Sequence, residues 1–255
     1  MPPELKIIAL EGVPLVRPGD DLAALVIAAL VRGAAVPADG DVVVVAQKIV
    51  SKAEGRYVDL AAIAPSARAL GLAREIDKDP RLVELVLRES RRVVRHRPGV
   101  LIVEHRLGYV MANAGIDRSN IDPAAAAEPV LLLPLDPDAS AAALRARLSA
   151  HFNAAMGVIV SDSFGRAWRR GTVGVALGAA GLPSCVDLRG HADLYGRALR
   201  VSETGFADEI AAAASLLMGQ ADEGVPAVLV RGLAWSAPAA PAADLLRPAD
   251  EDLFR

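Results

Sequence analysis

The sequence of 255 residues has one cysteine, Cys185. A single thiol cannot close an internal disulfide, and near Pro183 it reads as a small buried hydrophobe. Histidine is scarce as well: His96, His105, His151 and His191 are the full set, with no zinc-ligand spacing among them. No apolar run reaches the roughly 18 residues of a membrane span, and no charged leader with a long apolar stretch opens the chain. These absences predict a cytoplasmic protein without disulfides. Surplus charge is missing too. The net charge is −3, so bulk electrostatics give no footprint for nucleic acid or an anionic membrane as partner. Any polyanion has to be gripped locally. No G-x-x-x-x-G-K-[ST] occurs, and Gly171, Gly174 and Gly178 do not spell G-x-G-x-x-G, which argues against P-loop and Rossmann nucleotide sites. A G-x-S-x-G elbow is absent, so covalent serine chemistry is not indicated.

What the chain does contain is a mixture of helical and strand patterns. "GDDLAALVIAALVRGAAV" has Asp20 and Asp21 ahead of an apolar helical period and Gly33 at its end. Gly40 and Asp41 then introduce Val42 to Val45, a strand to be covered on both faces. "DPRLVELVLRESRRVVR" reads as one amphipathic helix, on which Arg88, Arg91, Arg92, Arg95 and Arg97 form either a solvated face or a mouth for an anionic substrate. "VLIVE" and "YVMANAG" suggest two strands about a turn at Arg106 to Gly108, and "VLLLP" a further strand. "DASAAALRARLSAHF" predicts a helix capped by Asp138 or Ser140. "GVIVSDSFG" predicts a buried strand that runs into a polar loop. The glycine-spaced "GTVGVALGAAG" is ambiguous, "DEIAAAASLLMGQ" is helical, and "PAVLVRGL" is a strand. Without a regular βαβ rhythm, the fold class is mixed α+β. Residues 1–240 are read as one domain and 241–255 as a surface tail.

Three apolar strands end in polar groups: Lys52 after the first, Asn113, Asp117 and Asn120 after the second, Asp162 and Ser163 after the third. Loops outside strand ends are where α/β proteins bind ligands. Taken alone, "MANAGIDRSNID" has the composition of a turn, and Asp162 could cap one. Taken together, two carboxylates and a hydroxyl suit Mg2+ or Mn2+, with phosphates and water completing the coordination. Arg166, Arg169 and Arg170 flank Trp168, an arrangement that is either a solvated basic loop or a grip on phosphate and carboxylate. A metal with lysine and arginine fits phosphoryl transfer, where positioning and charge neutralisation carry most of the catalysis.

The segments "ALEGVPLVRPGDDL", "QKIVSKAEGR", "ANAGIDRSN", "SDSFGRAWRRGTVGVALG", "DLRGHADLYGRAL", "SETGFADEIAAAASLLMGQ" and "PAVLVRGL", in this order from about residue 8 to 233, resemble the coenzyme F420-0:L-glutamate ligase family. The resemblance implies a two-subdomain α+β fold and a two-fold homodimer. It also implies GTP, a divalent metal and L-glutamate as reactants, with γ-linked glutamates added to the lactyl-phosphate end of the deazaflavin precursor F420-0. Potassium is a further candidate cofactor. By resemblance, Gly12, Val13, Pro14 and Leu15 lie at the nucleotide, as do Gln47, Lys48, Lys52 and Asn120. So does the loop of Val201, Ser202, Glu203, Thr204, Gly205, Phe206, Ala207 and Asp208. Asp117, Asp162, Ser163 and Glu203 match metal ligands. Lys52, Asp162 and Arg166 are the expected catalytic groups, and Arg169 and Arg170 the first candidates for binding substrate. Lys52 is expected on a rigid strand end. Two other readings are a ligase that glutamylates another carboxylate, and a nucleotide- and metal-binding module without catalysis.

Overall fold

Val42 to Val45 have no solvent exposure at all, which a strand achieves only when both of its faces are covered. In the computed structural model, which describes residues 4–33, 35–122 and 124–253, the cover comes from a helix–sheet–helix sandwich. A five-stranded sheet runs in the order β1 (Lys6–Ala9), β12 (Ala227–Arg231), β2 (Val42–Ala46), β8 (Gly157–Gly165), β9 (Thr172–Ala180). β2 and β8 are parallel; the other neighbours are antiparallel. Val43, Val45, Val158 and Val160 pack in one core with side chains of α1 (Leu22–Arg32) and α5 (Pro137–Phe152). Val42, Val44 and Ile159 belong to the opposite core, beneath α6 (Phe206–Met218).

The caps follow sequence chemistry, with one exchange. Asp21 caps α1, accepting from the Ala24 amide, and Gly33 closes it. At α5 the cap is Asp136, not Asp138 or Ser140 as expected. Asp138 instead accepts backbone N–H bonds from Ala179 at 2.8 Å, Ala242 at 2.7 Å and Ala243 at 3.2 Å. It therefore ties β9 and the segment around the fully buried Ala242 to the start of α5.

The ambiguous glycine-rich stretch is β9, and its glycines explain the ambiguity. A Cβ on Gly178 would stand 2.1 Å from the Pro137 carbonyl oxygen, and one on Gly174 would stand 2.3 Å from that of Ala211. Their absence lets α5 and α6 approach the sheet closely from either side.

Between β2 and α5 the chain forms α2 (Gln47–Ala53) and then a second layered region. There β3 (Tyr57–Asp59) pairs with β7 (Pro129–Leu131), and β4 (Ser90–Arg97), β5 (Val100–His105) and β6 (Val110–Ala112) form an antiparallel meander. α3 (Ala67–Ile76) and α4 (Pro80–Arg88) pack on this meander through Ala69, Ile76, Val83, Val86, Leu101 and Val103. The single helix expected over "DPRLVELVLRESRRVVR" is thus two elements. Helix α4 stops at Arg88, the Ser90 hydroxyl donates back to the Val86 carbonyl, and the β-branched Val93 and Val94 continue in β4. Arg91, Arg92, Arg95 and Arg97 stand on a strand, while Arg88 ends α4; Arg92 Nε donates to Glu104 Oε2 at 2.8 Å. The short pair β10 (Val186–Asp187) and β11 (Glu203–Thr204) closes the base of an exposed arm. The architecture is mixed α+β, as the patterns predict.

Candidate functional site

Because β2 and β8 run parallel with Ala46 opposite Ser161, their carboxyl ends open at the same edge of the sheet. β12 runs antiparallel to β2, so the loop leading into it arrives there too. A cavity of about 900 Å³ lies at this edge, bounded by Val13 to Leu15, Gln47, Lys48, Lys52, Asn120, Asp162 and Ser163. Much of the set expected from strand ends and from the family resemblance is therefore brought together.

Lys52 does not sit on a strand end. The chain turns directly from β2 into α2, and Ile49 and Val50 of that helix are buried while Lys48 and Lys52, four apart, share a face. Gln47 is buried and accepts from the Ser51 hydroxyl at 2.9 Å, which fixes the first turn of the helix. Lys48 Nζ stands 2.7 Å from Asp117 Oδ2 and donates to Ser119 Oγ at 2.7 Å. Ser119 in turn donates to Asp117 Oδ1 through its amide at 2.7 Å and its hydroxyl at 2.8 Å. Lys52 Nζ donates to the Asn120 carbonyl at 2.6 Å. Asn120 takes the left-handed conformation, with φ 54°, and its side chain donates to the Ala221 carbonyl at 2.9 Å. This last bond joins the two loops that flank the cavity.

The ionisable groups feel the enclosure. Burial lowers the pKa of Lys52, and the nearby charge of Lys48 lowers it further. For Asp117 burial acts upward, but the hydrogen bonds from Lys48 and Ser119 outweigh it and leave the carboxyl below its usual range. Asp162 goes the other way: burial, reinforced by the charge of Asp117, pushes it up to about 6. Its one protein donor among the described residues is the Ser163 amide, at 2.8 Å. An under-bonded carboxylate beside a second carboxylate and a hydroxyl is a hard-oxygen donor set that fits Mg2+ or Mn2+. Among the described residues no three His, Cys, Asp or Glu side chains gather into a metal cage, so such an ion needs phosphate or water oxygens to complete its shell.

Other candidates lie elsewhere. Glu203 is on β11, half exposed, with Oε1 3.2 Å from Arg189 Nη2. The Val201 to Asp208 segment leads into the start of α6, whereas Met218 at the end of that helix borders the cavity. The helix places them about 18 Å apart along its axis. Within the segment, Asp208 accepts from the Ala176 amide at 2.8 Å and so anchors α6 to β9. Arg166, Arg169 and Arg170 stand exposed at the tip of the β8–β9 hairpin, outside the cavity lining; Arg166 Nη1 donates to the Gly171 carbonyl at 3.0 Å. Gly12 adjoins the lining and accepts at its carbonyl from Arg32 Nη2 at 2.7 Å.

Sequence reasoning passed over Tyr57, Asp122 and the loop from Gly219 to Pro226, all of which contribute to the cavity. It also passed over Ser119. The signal for the loop was its place just before "PAVLVRGL", a strand whose start must meet the end of β2 once the two pair antiparallel.

Residues 12–232 match the family described as F420-0:Gamma-glutamyl ligase. The chain belongs to that family. A protein named coenzyme F420:L-glutamate ligase from Methanothermobacter thermautotrophicus is 47% identical over 253 residues, covering 98% of this chain and 99% of the relative. Proteins of the same name from Methanopyrus kandleri and Archaeoglobus fulgidus are 48% and 43% identical, over 90% and 98% of this chain and 88% and 96% of their own lengths. The similarity thus spans the cavity, the second layered region and the exposed arm together. No helix among the described residues is long and apolar enough to cross a membrane.

Proposed function

We propose that the chain is a GTP- and divalent-metal-dependent ligase that adds L-glutamate through γ-linkages to coenzyme F420-0 by way of an acyl phosphate. The observation that carries this reading is a cavity lined by Lys48, Lys52, Asp162 and Ser163, with Asp117 ion-paired to Lys48. Family membership and the names of the full-length relatives support the substrates.

A free carboxylate is a poor acyl donor, which gives the phosphoanhydride its purpose. Lys52, partly desolvated and, among the described residues, hydrogen-bonded only to a neutral carbonyl, is poised to hold nucleotide phosphate as a point charge. Asp117, Asp162 and Ser163 would hold Mg2+ or Mn2+, which when bound supplies neutralisation of phosphate charge. The terminal carboxylate of F420-0 then attacks the γ-phosphorus, the β–γ bridging bond breaks, and GDP leaves. The glutamate amine attacks the resulting acyl phosphate, expels inorganic phosphate and gives up a proton as the amide forms. A homodimer belongs to the same proposal. Glu203 lies on an exposed arm at the far end of α6 from its own cavity, and a second copy offers a route by which that arm could approach another subunit's site.

The test is mass spectrometry of F420-0 incubated with the protein, GTP, L-glutamate and Mn2+ or Mg2+, omitting each in turn. Glutamyl mass increments that require both GTP and metal are the expected result. Their absence, in a preparation shown to bind GTP, would overturn the substrate assignment.

A further inference from the structure

We infer that Lys48 is a latch on the metal position: its ammonium occupies the Asp117 carboxylate until a divalent ion arrives, and metal binding releases it toward the nucleotide phosphates. The inference rests on the proposed metal- and nucleotide-binding reading of the cavity and adds an order to its loading.

Geometry carries it. Both oxygens of Asp117 are engaged in the protein as it stands: Oδ2 by Lys48 Nζ at 2.7 Å, and Oδ1 by the amide and hydroxyl of Ser119 at 2.7 and 2.8 Å. Ser119 Oγ also accepts from Lys48 at 2.7 Å, so the lysine, the serine and the aspartate form a closed triangle. A divalent ion and an ammonium cannot share one carboxylate oxygen without strong like-charge repulsion. Asp162, by contrast, leaves its carboxylate nearly unused, with one amide bond, from Ser163, among the described residues. Of the two carboxylates, one is ready for an ion and the other is already neutralised.

Releasing Lys48 has a second effect. Lys48 and Lys52 lie on the same face of α2, and Lys52 already feels the charge of Lys48. Once an ion holds Asp117, the two lysines and the ion face one cavity with far less negative charge to offset them. A triphosphate supplies that charge. The divalent ion and the nucleotide should therefore bind with positive coupling, each tightening the other by the same factor.

The experiment is a titration of the full chain with MnCl2, followed by the electron paramagnetic resonance signal of free Mn2+, with and without a non-hydrolysable GTP analogue. In the wild-type protein the analogue should tighten Mn2+ binding roughly tenfold or more, within the usual range of coupling between sites. Lys48→Met should tighten Mn2+ binding to the nucleotide-free protein about fivefold, as expected when a partly exposed ion pair no longer competes, and should shrink the coupling. Lys48→Arg, which keeps the cation, should behave as wild type. A melting curve accompanies each variant, and Lys48→Gln serves if Lys48→Met does not fold. Unchanged or weaker Mn2+ binding to a folded, charge-removed variant would overturn the latch while leaving the site itself in place. No Mn2+ binding by any form, with or without nucleotide, would remove the metal site and the latch with it.

Discussion

Lys52→Met is the sharpest test of the nucleotide assignment, because it removes a charge and leaves the apolar stem. Among the described residues the ammonium makes one hydrogen bond, to the Asn120 carbonyl at 2.6 Å. Burial and the Lys48 charge act against its charged form, while Asp122 and Asp117 act for it. An ammonium held in this way gains more from a phosphate oxygen than a solvated lysine does. A charge-assisted hydrogen bond is worth about 1.5–3 kcal/mol, so the dissociation constant for GTP should rise about 10- to 150-fold. The effect on folding is smaller. Losing the Asn120 bond costs about 1 kcal/mol, and removing a desolvated, repelled cation offsets part of it, so Tm should fall by less than about 4 °C. Calorimetric titration with GTP and Mg2+, beside a thermal melt, reads both quantities. A GTP affinity within about threefold of wild type, with a native melt, would refute the role of Lys52.

Asp162→Asn should abolish metal-dependent turnover and keep a native melting curve; normal turnover by mass spectrometry would remove Asp162 from the metal site. Asp138→Ala strips three backbone N–H groups of their acceptor and should lower stability in urea by about 2–4 kcal/mol, a loss under about 1 kcal/mol speaking against the tie. In Gly178→Ala the new Cβ meets the Pro137 carbonyl, so a stability loss of about 1–3 kcal/mol or more is expected from forcing α5 off the sheet; a neutral result would refute the close approach. Glu89 is held down at about 2 by His105, with burial opposing and Arg106 and Arg56 assisting. Because the folded pKa is depressed from an ordinary 4.5, its stabilisation is full above that value and drains as pH falls toward 2. Glu89→Gln should cost about 1–2 kcal/mol at neutral pH after allowance for solvent screening, and the gap should close in acid; a gap independent of pH would sink the assignment.

How far the sequence could be read depended on how local each signal was. The valines of β2 and the Asp21 and Gly33 ends of α1 are set by neighbouring residues, and they appear in place. The strand over "GVIVSDSFG" is also there, although pairing with β9 carries it through Asp162 and Ser163 to Gly165 instead of releasing a loop. α2 escaped notice because its seven residues, about two turns, carry their buried aliphatics side by side at Ile49 and Val50 and so show no helical spacing. β4 escaped because Val93 and Val94 suit either period, and only pairing with β5 decides between them. At the site, polar residues after apolar strands pointed to the edge where Lys52, Asp117 and Asp162 converge. The Gly219 to Pro226 loop is made of ordinary turn formers, and its role comes wholly from where β12 lies.

The parallel pairing of β2 with β8 also bears on how the chain folds. The partners are separated by roughly 115 residues of chain, a long loop to close before any contact rewards it. The cavity edge does not exist until that closure is made, since one wall follows β2 and the other extends β8. Assembly of the edge should therefore come late, after the meander and its helices have found their local contacts. A ligand seated there binds the finished chain and not its precursors, so it should deepen the native basin and slow the opening of this pair. Resistance to proteolysis between the two strands would then report ligand occupancy without any turnover being measured.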